Sequence, residues 1–337
     1  SNQKITKTTA IVTEEDVINQ LTKMIGTPIR DLFVNEKHDT SFESELQKHI
    51  IGQDEVLREV TQIIQQAKLE LSNPNRPLAS FLFVGESGVG KTGLAKILAA
   101  ALYPNQSSFI QLNMSEFNES FGVSKLLGSP AGYIGYKESN QFTDRIKMNP
   151  YCVILLDEID KAHKDVTKLL LQMLENGEIT DSVGKKISLK HAIIILTTSL
   201  GADELKKTNI GFGKAKESSE NKKIVKDKLK DFFSAELINR LDQICLFNNL
   251  SKNDLAKVAA LEINELNKQL APYNTTLGAD EKVFTWFVDQ LAEKNNAREV
   301  RRQIRGHVEK IMAELILQNK IKTQHKLVLQ QNKLSVK

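Results

Sequence analysis

Residues 80–84 read Ser-Phe-Leu-Phe-Val and run straight into Gly85-Glu86-Ser87-Gly88-Val89-Gly90-Lys91-Thr92, after which Lys91 to Leu102 carries helical periodicity. A five-residue apolar run predicts a strand buried on both faces. The eight residues that follow fit G-x-x-x-x-G-K-[ST], placed between a strand and a helix. In that setting the glycines let the backbone wrap so that successive N–H groups face phosphate oxygens at a helix N-terminus. Lys91 is placed to reach β- and γ-phosphates, and the Thr92 hydroxyl to ligand Mg²⁺. Gly85, Glu86, Ser87, Gly88, Val89, Gly90, Lys91, Thr92 and Gly93 therefore form the candidate nucleotide-binding loop.

Four more short apolar runs lie at 108–112 (SFIQL), 152–156 (CVILL), 192–197 (AIIILT) and 243–247 (QICLF). Stretches with helical periodicity separate them, among them 164–174 with Val166, Leu169, Leu170, Met173 and Leu174 on one stripe. Such alternation predicts an α/β fold, a parallel five-stranded sheet covered by helices. The run at 152–156 ends in Asp157-Glu158. A carboxylate at the tip of a neighbouring strand can hold Mg²⁺ and its water, so Asp157 joins Thr92 as a metal candidate and Glu158 is the candidate for polarising the attacking water. Nucleotide hydrolysis with Mg²⁺ is the reading of these residues.

After Leu250 three helices are expected, at 254–270, 281–291 and 298–318, followed by a hairpin with strands at 326–330 and 334–336. The organisation expected is a leader or linker over 1–47 with one helix at 14–24, an α/β body over 48–250, and a smaller, mostly helical lid over 251–337. The length of 337 residues suits two domains. With 46 Lys+Arg against 42 Asp+Glu, the net charge of +4 gives no strong nucleic-acid footprint. No apolar stretch is long enough to cross a bilayer. Two cysteines, both inside apolar runs, exclude a disulfide framework and point to a reducing, cytoplasmic setting. Ser1-Asn2 without an initiator Met is expected to be a cloning remnant at the start of a piece of a longer protein.

The segments IIGQDEV (50–56), FLFVGESGVGKT (81–92), LNMSEF (112–117), GSPAGYIGY (128–136), VILLDEIDKAH (153–163) and INRLD (238–242) occur in this order. On these segments the chain resembles the second AAA+ module of the Clp/Hsp100 unfoldases, the ClpA type above all. The resemblance implies a homo-hexamer that hydrolyses ATP to ADP between subunits and threads unfolded protein substrates, delivered in part by adaptors, through its pore. Neither nucleic acid nor membrane is an expected partner.

The same resemblance assigns roles residue by residue. Ile50 and Ile51 match the segment that packs on adenine; apolar contact with a flat base and simple core packing both suit them. Gly132-Tyr133-Ile134-Gly135 matches the substrate-gripping pore loop, in which an aromatic ring presses on any unfolded backbone. Arg240 matches the arginine finger that reaches a neighbour's γ-phosphate; taken alone, Asn-Arg-Leu-Asp equally suits a surface ion pair. Arg298, within Asn296-Ala297-Arg298 where the family has Gly-Ala-Arg, matches a second phosphate-sensing arginine. The further arginines Arg301, Arg302 and Arg305 are expected to form a solvated or intersubunit face. Ile210-Gly211-Phe212, isolated in a polar stretch, matches the tripeptide that docks onto the ClpP peptidase. Ser199 stands where the family's sensor carries Asn, with Thr198 the residue able to compensate. The alternatives are a ClpB-like disaggregase without peptidase, a nucleotide-gated assembly protein with weak hydrolysis, and a DNA-acting motor, against which the pore aromatic argues.

Overall fold

The computed structural model describes residues 12–13, 16–17, 20, 40–69, 73–103, 106–119, 121–128, 141–202, 223–291, 296–318, 320, 322–330 and 333–336. The segments matched to the pore loop (132–135) and to the peptidase-docking tripeptide (210–212) lie outside these residues, as does most of the helix expected at 14–24.

The five apolar runs become five parallel strands: β1 (Ala79–Val84), β2 (Phe109–Asn113), β3 (Val153–Asp157), β6 (Ile193–Thr198) and β7 (Gln243–Leu246). Between β3 and β6 a short antiparallel hairpin intervenes, β4 (Glu178–Thr180) with β5 (Lys186–Ser188). The sheet order is β2-β3-β6-β1-β7, and every pairing in it is parallel. All six residues of β1 and of β6 are buried, which explains why these strands read as unbroken apolar runs rather than as alternating ones.

Helices cover both faces. On one, the helices Thr40–His49, Asp54–Lys68 and Lys91–Leu102 pack Leu46, Leu57, Ile64, Leu94 and Leu98 against Phe81, Phe83, Val153 and Ile195. The other face takes the helix Lys164–Asn176, whose Val166, Leu169, Leu170, Met173 and Leu174 meet Ile154, Leu156, Ile194 and Leu196. The helix Thr40–His49 crosses the boundary expected at residue 47. Its Leu46 has no exposed surface and belongs to the same apolar cluster as Ile50, so the folded body begins ahead of residue 48.

A third apolar cluster is built by the helices Lys252–Leu270, Glu281–Asp289 and Ala297–Leu317. The first opens with a capping box in which Ser251 and Asp254 satisfy each other's backbone N–H groups. Beside these helices lie β8 (Thr276–Ala279), β9 (Gln324–Gln330) and β10 (Lys333–Val336). β9 and β10 form the expected hairpin, and β8 adds to β9 in parallel, a pairing no local pattern announces in four residues. Ile50 packs in the core of the sheet body, whereas Ile51, the next residue, packs against the helical cluster. Among the described residues no helix is long and apolar enough to cross a membrane.

Candidate nucleotide site

The register of the sheet brings the chemistry to one rim. Val84 stands opposite Thr198 and Asn113 opposite Asp157, so the loop after β1, the end of β3 and the end of β6 share the carboxyl edge. Open α/β sheets bind ligands at this edge.

In the loop, Gly88 and Gly90 take left-handed φ values of 81° and 114°, and Gly90 starts the helix Lys91–Leu102 without a side-chain cap. No side chain at the N-cap engages the first backbone N–H groups of that helix, which leaves its end suited to an anion. Lys91 Nζ donates to the carbonyls of Gly85 (2.5 Å) and Glu86 (2.8 Å), holding its ammonium within the loop. Burial pulls the Lys91 ammonium down to about 8, Arg298 adds to that lowering, and the carboxylates of Asp157, Asp160 and Glu158 oppose it.

Across the rim, Thr92 Oγ1 lies 3.3 Å from Asp157 Oδ2, and Gln111 Nε2 donates to the same oxygen at 3.4 Å. The Thr197 hydroxyl donates to the other Asp157 oxygen and accepts from the Glu158 N–H at 3.0 Å. A hydroxyl and a carboxylate side by side next to a phosphate cradle are hard oxygen donors, the set that suits Mg²⁺ shared with a phosphate chain. Glu158 has φ 59°, rare for a residue with a side chain, and enters the short 3₁₀ turn Ile159–Lys161. A strained backbone at such a position is sustained by its surroundings. Here those are the Thr197 contact and the Ser115 hydroxyl, which donates to Glu158 Oε2 at 2.9 Å.

Ser199 is exposed at the end of β6. Thr198 does not stand free to replace it, because its hydroxyl donates to Asp160 Oδ1 at 2.7 Å and accepts from the Leu200 N–H at 3.1 Å. Arg240 ends the helix Ala235–Arg240 and pairs with Glu175 of its own chain at 2.7 Å. The surface ion pair that its local sequence allowed is therefore present in the single chain.

The helical body closes the other side. Asn296 caps the helix Ala297–Leu317 by accepting from the Glu299 N–H at 2.9 Å. The Ala297 N–H donates to the Gly88 carbonyl at 3.0 Å, and Arg298 Nη1 lies 3.4 Å from Ser87 Oγ. A Cβ on Gly88 would fall 2.8 Å from Asn296, so the loop and the helix start touch without room for a side chain. Ile50 reaches Gly93 from below, its Cδ1 3.7 Å from where a Cβ would stand.

The arginines beyond Arg298 are about half exposed or more, and each has an acidic partner in its own chain. Arg302 pairs with Glu299 at 2.5 Å, and Arg305 and Arg301 converge on Glu262 at 2.5 and 3.4 Å. Glu262 is only 4% exposed, and a carboxylate so buried needs the charges that meet it. Arg298, Arg301 and Arg305 lie on one stripe of the helix, beside a face set by the buried Val300, Ile304, Val308 and Met312.

Gln53 belongs to the segment IIGQDEV, whose spacing assigns it no role of its own. It is wholly buried and fully used: its amide donates to the carbonyls of Val89 (3.2 Å) and Asn248 (2.9 Å), and its oxygen accepts from the Asn248 N–H at 2.9 Å. It ties the phosphate loop to the segment after β7. A buried amide in a polar-apolar junction gives no signal until its partners, nearly 200 positions away in Asn248, are known.

A family model described as AAA domain (Cdc48 subfamily) matches residues 76–244, and one described as the C-terminal, D2-small domain of ClpB protein matches 250–329. The chain is 39% identical over 313 residues to the ATP-dependent Clp protease ATP-binding subunit ClpE of Lactococcus lactis, covering 92% of this chain and 41% of that protein. The chain belongs to the Clp/Hsp100 family of AAA+ ATPases. This Clp/Hsp100 module is also 39% identical over 321 residues to the chloroplastic chaperone protein ClpC1 of Arabidopsis thaliana, covering 93% of this chain and 35% of that protein. Against the chaperone protein ClpB of Gloeobacter violaceus the identity is 40% over 279 residues, with 82% of this chain and 32% of that one covered. Among solved structures, a closed-state cryo-EM reconstruction of Hsp104 with ATPyS and FITC casein superposes with a TM-score of 0.81. Its identity is 30%, and it covers 96% of this chain and 56% of that one. The module thus spans about two fifths or less of the length of these curated relatives, and corresponds to a second AAA+ module of the family.

Proposed function

We propose that this ATPase module drives protein unfolding and translocation as the second ring of a ClpA-like hexamer, passing substrates to the ClpP peptidase. The observation that carries the reading is the approach of Arg298 and the Asn296–Ala297 helix start to the loop after β1 in the same chain, the contact that a nucleotide site shared by two bodies calls for. Names such as ATP-binding subunit of a Clp protease, borne by relatives across more than nine tenths of this chain, support the peptidase partnership.

In this reading the helix N-terminus after Gly90 and the Lys91 ammonium bind the β- and γ-phosphates of ATP. Thr92 and Asp157 would hold Mg²⁺, which when bound neutralises charge on the phosphates and orients them for in-line attack. Glu158 accepts a proton from the attacking water; Thr197 holds Glu158 and Asp157 in register. Ile50 and Ile51, one in each apolar core, flank the adenine. Arg298 serves the phosphates from the same chain, and Arg240 serves those of a neighbouring subunit. Ser199 stays close to the reaction but contributes less than the family's amide. Tyr133 with Gly132, Ile134 and Gly135 grips the substrate, Ile210-Gly211-Phe212 docks the peptidase, and the setting is cytoplasmic.

A second reading, a disaggregase that works without a peptidase, is favoured by the ClpB description of the matched lid domain and by the Hsp104 neighbour. Degradation of a tagged folded protein by the full-length protein with ClpP and ATP separates the two. ATP-dependent degradation that Phe212→Ala abolishes while ATP turnover persists supports the first. Unfolding of the tagged protein with no degradation, and no binding of ClpP, overturns it in favour of the second.

A further inference from the structure

Arg76 lies just ahead of β1, outside the nucleotide site, with about three quarters of its side chain shielded. Its guanidinium reaches three segments at once. Nε donates to the Leu174 carbonyl at 3.2 Å, in the last turn of the helix Lys164–Asn176. One terminal nitrogen donates to the main-chain carbonyl of Arg240. The other stands 3.4 Å from the carboxylate of Asp242, which in turn accepts from the N–H (2.7 Å) and hydroxyl (2.6 Å) of Ser80 at the start of β1. A guanidinium spreads its donors over three nitrogens in one fixed plane and so meets three separated acceptors, whereas an ammonium offers its three donors from a single atom.

The approach is close because Gly177 allows it. That residue ends the helix Lys164–Asn176 at φ 57°, and a Cβ there would stand 2.7 Å from the Asn75 carbonyl oxygen and 3.0 Å from the Arg76 carbonyl carbon. The two backbone points that Arg76 grips also lie beneath one ion pair. Leu174 precedes Glu175, and Glu175 Oε1 is 2.7 Å from Arg240 Nη2. Arg240 itself is about half exposed, with its guanidinium at the surface. An exposed pair of this kind is weak by itself and does not fix a long side chain. The backbone beneath it is what is fixed.

We propose that Arg76 is the positioning residue of Arg240. By tying the Arg240 carbonyl to the Leu174 turn and, through Asp242, to β1, it sets the place from which the Arg240 guanidinium is presented to a neighbouring subunit. The proposal rests on the reading of Arg240 as acting across a subunit boundary. The polar partners of Arg76 among the described residues, Leu174, Arg240 and Asp242, all lie outside its own phosphate loop, so its removal is expected to leave nucleotide binding in the same chain intact and to slow the step that needs a neighbour's arginine.

The test measures ATP turnover by the assembled full-length protein. Arg76→Gln is expected to lower kcat about ten- to a hundredfold, as a misplaced catalytic group does, with KM for ATP within about twofold. Arg76→Lys, which keeps the Asp242 pair but loses the fork, is expected to fall between Arg76→Gln and the unaltered protein, and covers the case in which Arg76→Gln folds poorly. Each variant is then mixed with Glu158→Gln. An Arg76-altered subunit keeps a sound Glu158, and a Glu158→Gln subunit keeps a sound Arg240, so mixed rings regain turnover above the mean of the two separate proteins. Arg240→Ala mixed with Glu158→Gln is the control. Recovery in both mixtures supports the proposal. Recovery with Arg240→Ala but not with either Arg76 variant, or full turnover by both Arg76 variants alone, overturns the role of Arg76 and spares that of Arg240. No recovery with Arg240→Ala overturns both.

Discussion

The Ser115 hydroxyl donates a hydrogen bond to Glu158 Oε2 at 2.9 Å, binding the carboxylate at the end of β3 to the turn that follows β2. An oxygen already engaged by a donor has one lone pair fewer to offer the attacking water. Ser115→Ala is expected to raise basal ATP turnover about two- to fivefold, the range that one hydrogen bond of about 1 kcal/mol allows. Glu158→Gln is expected to lower it by at least about a hundredfold. Steady-state phosphate release at saturating ATP checks both, and a fall in turnover for Ser115→Ala would refute the restraining role.

Lys91 gives the site a pH dependence in a definite direction. Burial holds its ammonium down to about 8, so the free protein begins to lose this positive charge near pH 8 rather than near the ordinary lysine value. Phosphate oxygens favour the charged form, so nucleotide binding above pH 8 takes up protons. ATP affinity is therefore expected to fall as pH rises beyond 8, approaching about tenfold per unit, while remaining flat between pH 6.5 and 7.5. Calorimetric titration in buffers of different ionisation enthalpy reads both affinity and proton uptake. Proton release on binding at pH 8.5 would count against this assignment.

In the folded chain without nucleotide the same shift carries a stability term of known sign. A lysine whose folded value lies below its unfolded value costs stability while it is charged. That cost fades as pH rises from about 8 towards the unfolded value, provided the fold otherwise holds. Lys91→Met is thus expected to raise the apparent Tm of the nucleotide-free protein at pH 7 while abolishing ATP binding, as read by thermal unfolding with and without ATP.

Gly88 offers a test of the joint between the loop and the helical body. Gly88→Ala meets both a left-handed φ of 81° and the Asn296 side chain 2.8 Å away. Gly184→Ala meets a nearly equal φ of 80°, in the β4–β5 turn, with nothing within 4 Å. The backbone cost of about 1–2 kcal/mol is common to the two. A loss of ATP affinity of at least about tenfold is expected for Gly88→Ala alone; equal loss in both would show that the contact with Asn296 does not matter to the site.

What the sequence disclosed, and what it hid, follows physical lines. The five parallel strands are legible because each reads as an apolar run, the three central ones, β3, β6 and β1, being buried along nearly their whole length, and the phosphate loop because its spacing is local. Thr92, Asp157 and Glu158 inherit that clarity from the strand ends that carry them. Glu262 is hidden in the periodic helix Lys252–Leu270, where nothing local separates it from the exposed acids, so the arginines that clamp it read as a solvated or intersubunit face with no named partner. Ser115, Thr197 and Gln53 act through partners brought near by strand order. The hairpin strands β4 and β5 have three residues each, too few for a period. Arg240 is legible as a candidate from its motif, but its present partner Glu175 is set by packing between two helices far apart in the chain.

The contact between Gly88 and Asn296 bears on how such proteins can be recombined. Two family models meet between residues 244 and 250, which invites exchange of the C-terminal body between relatives as a ready-made cassette. Yet that body supplies the side chain packed on the naked backbone of Gly88 and the N–H that binds its carbonyl. A chimaera joined at the seam keeps both of its parents' cores and can still lose the nucleotide site, if the residue arriving at position 296 is larger than asparagine. The unit of inheritance for this site is therefore the loop and the first turn of the distant helix together, whatever the boundary between the two bodies suggests.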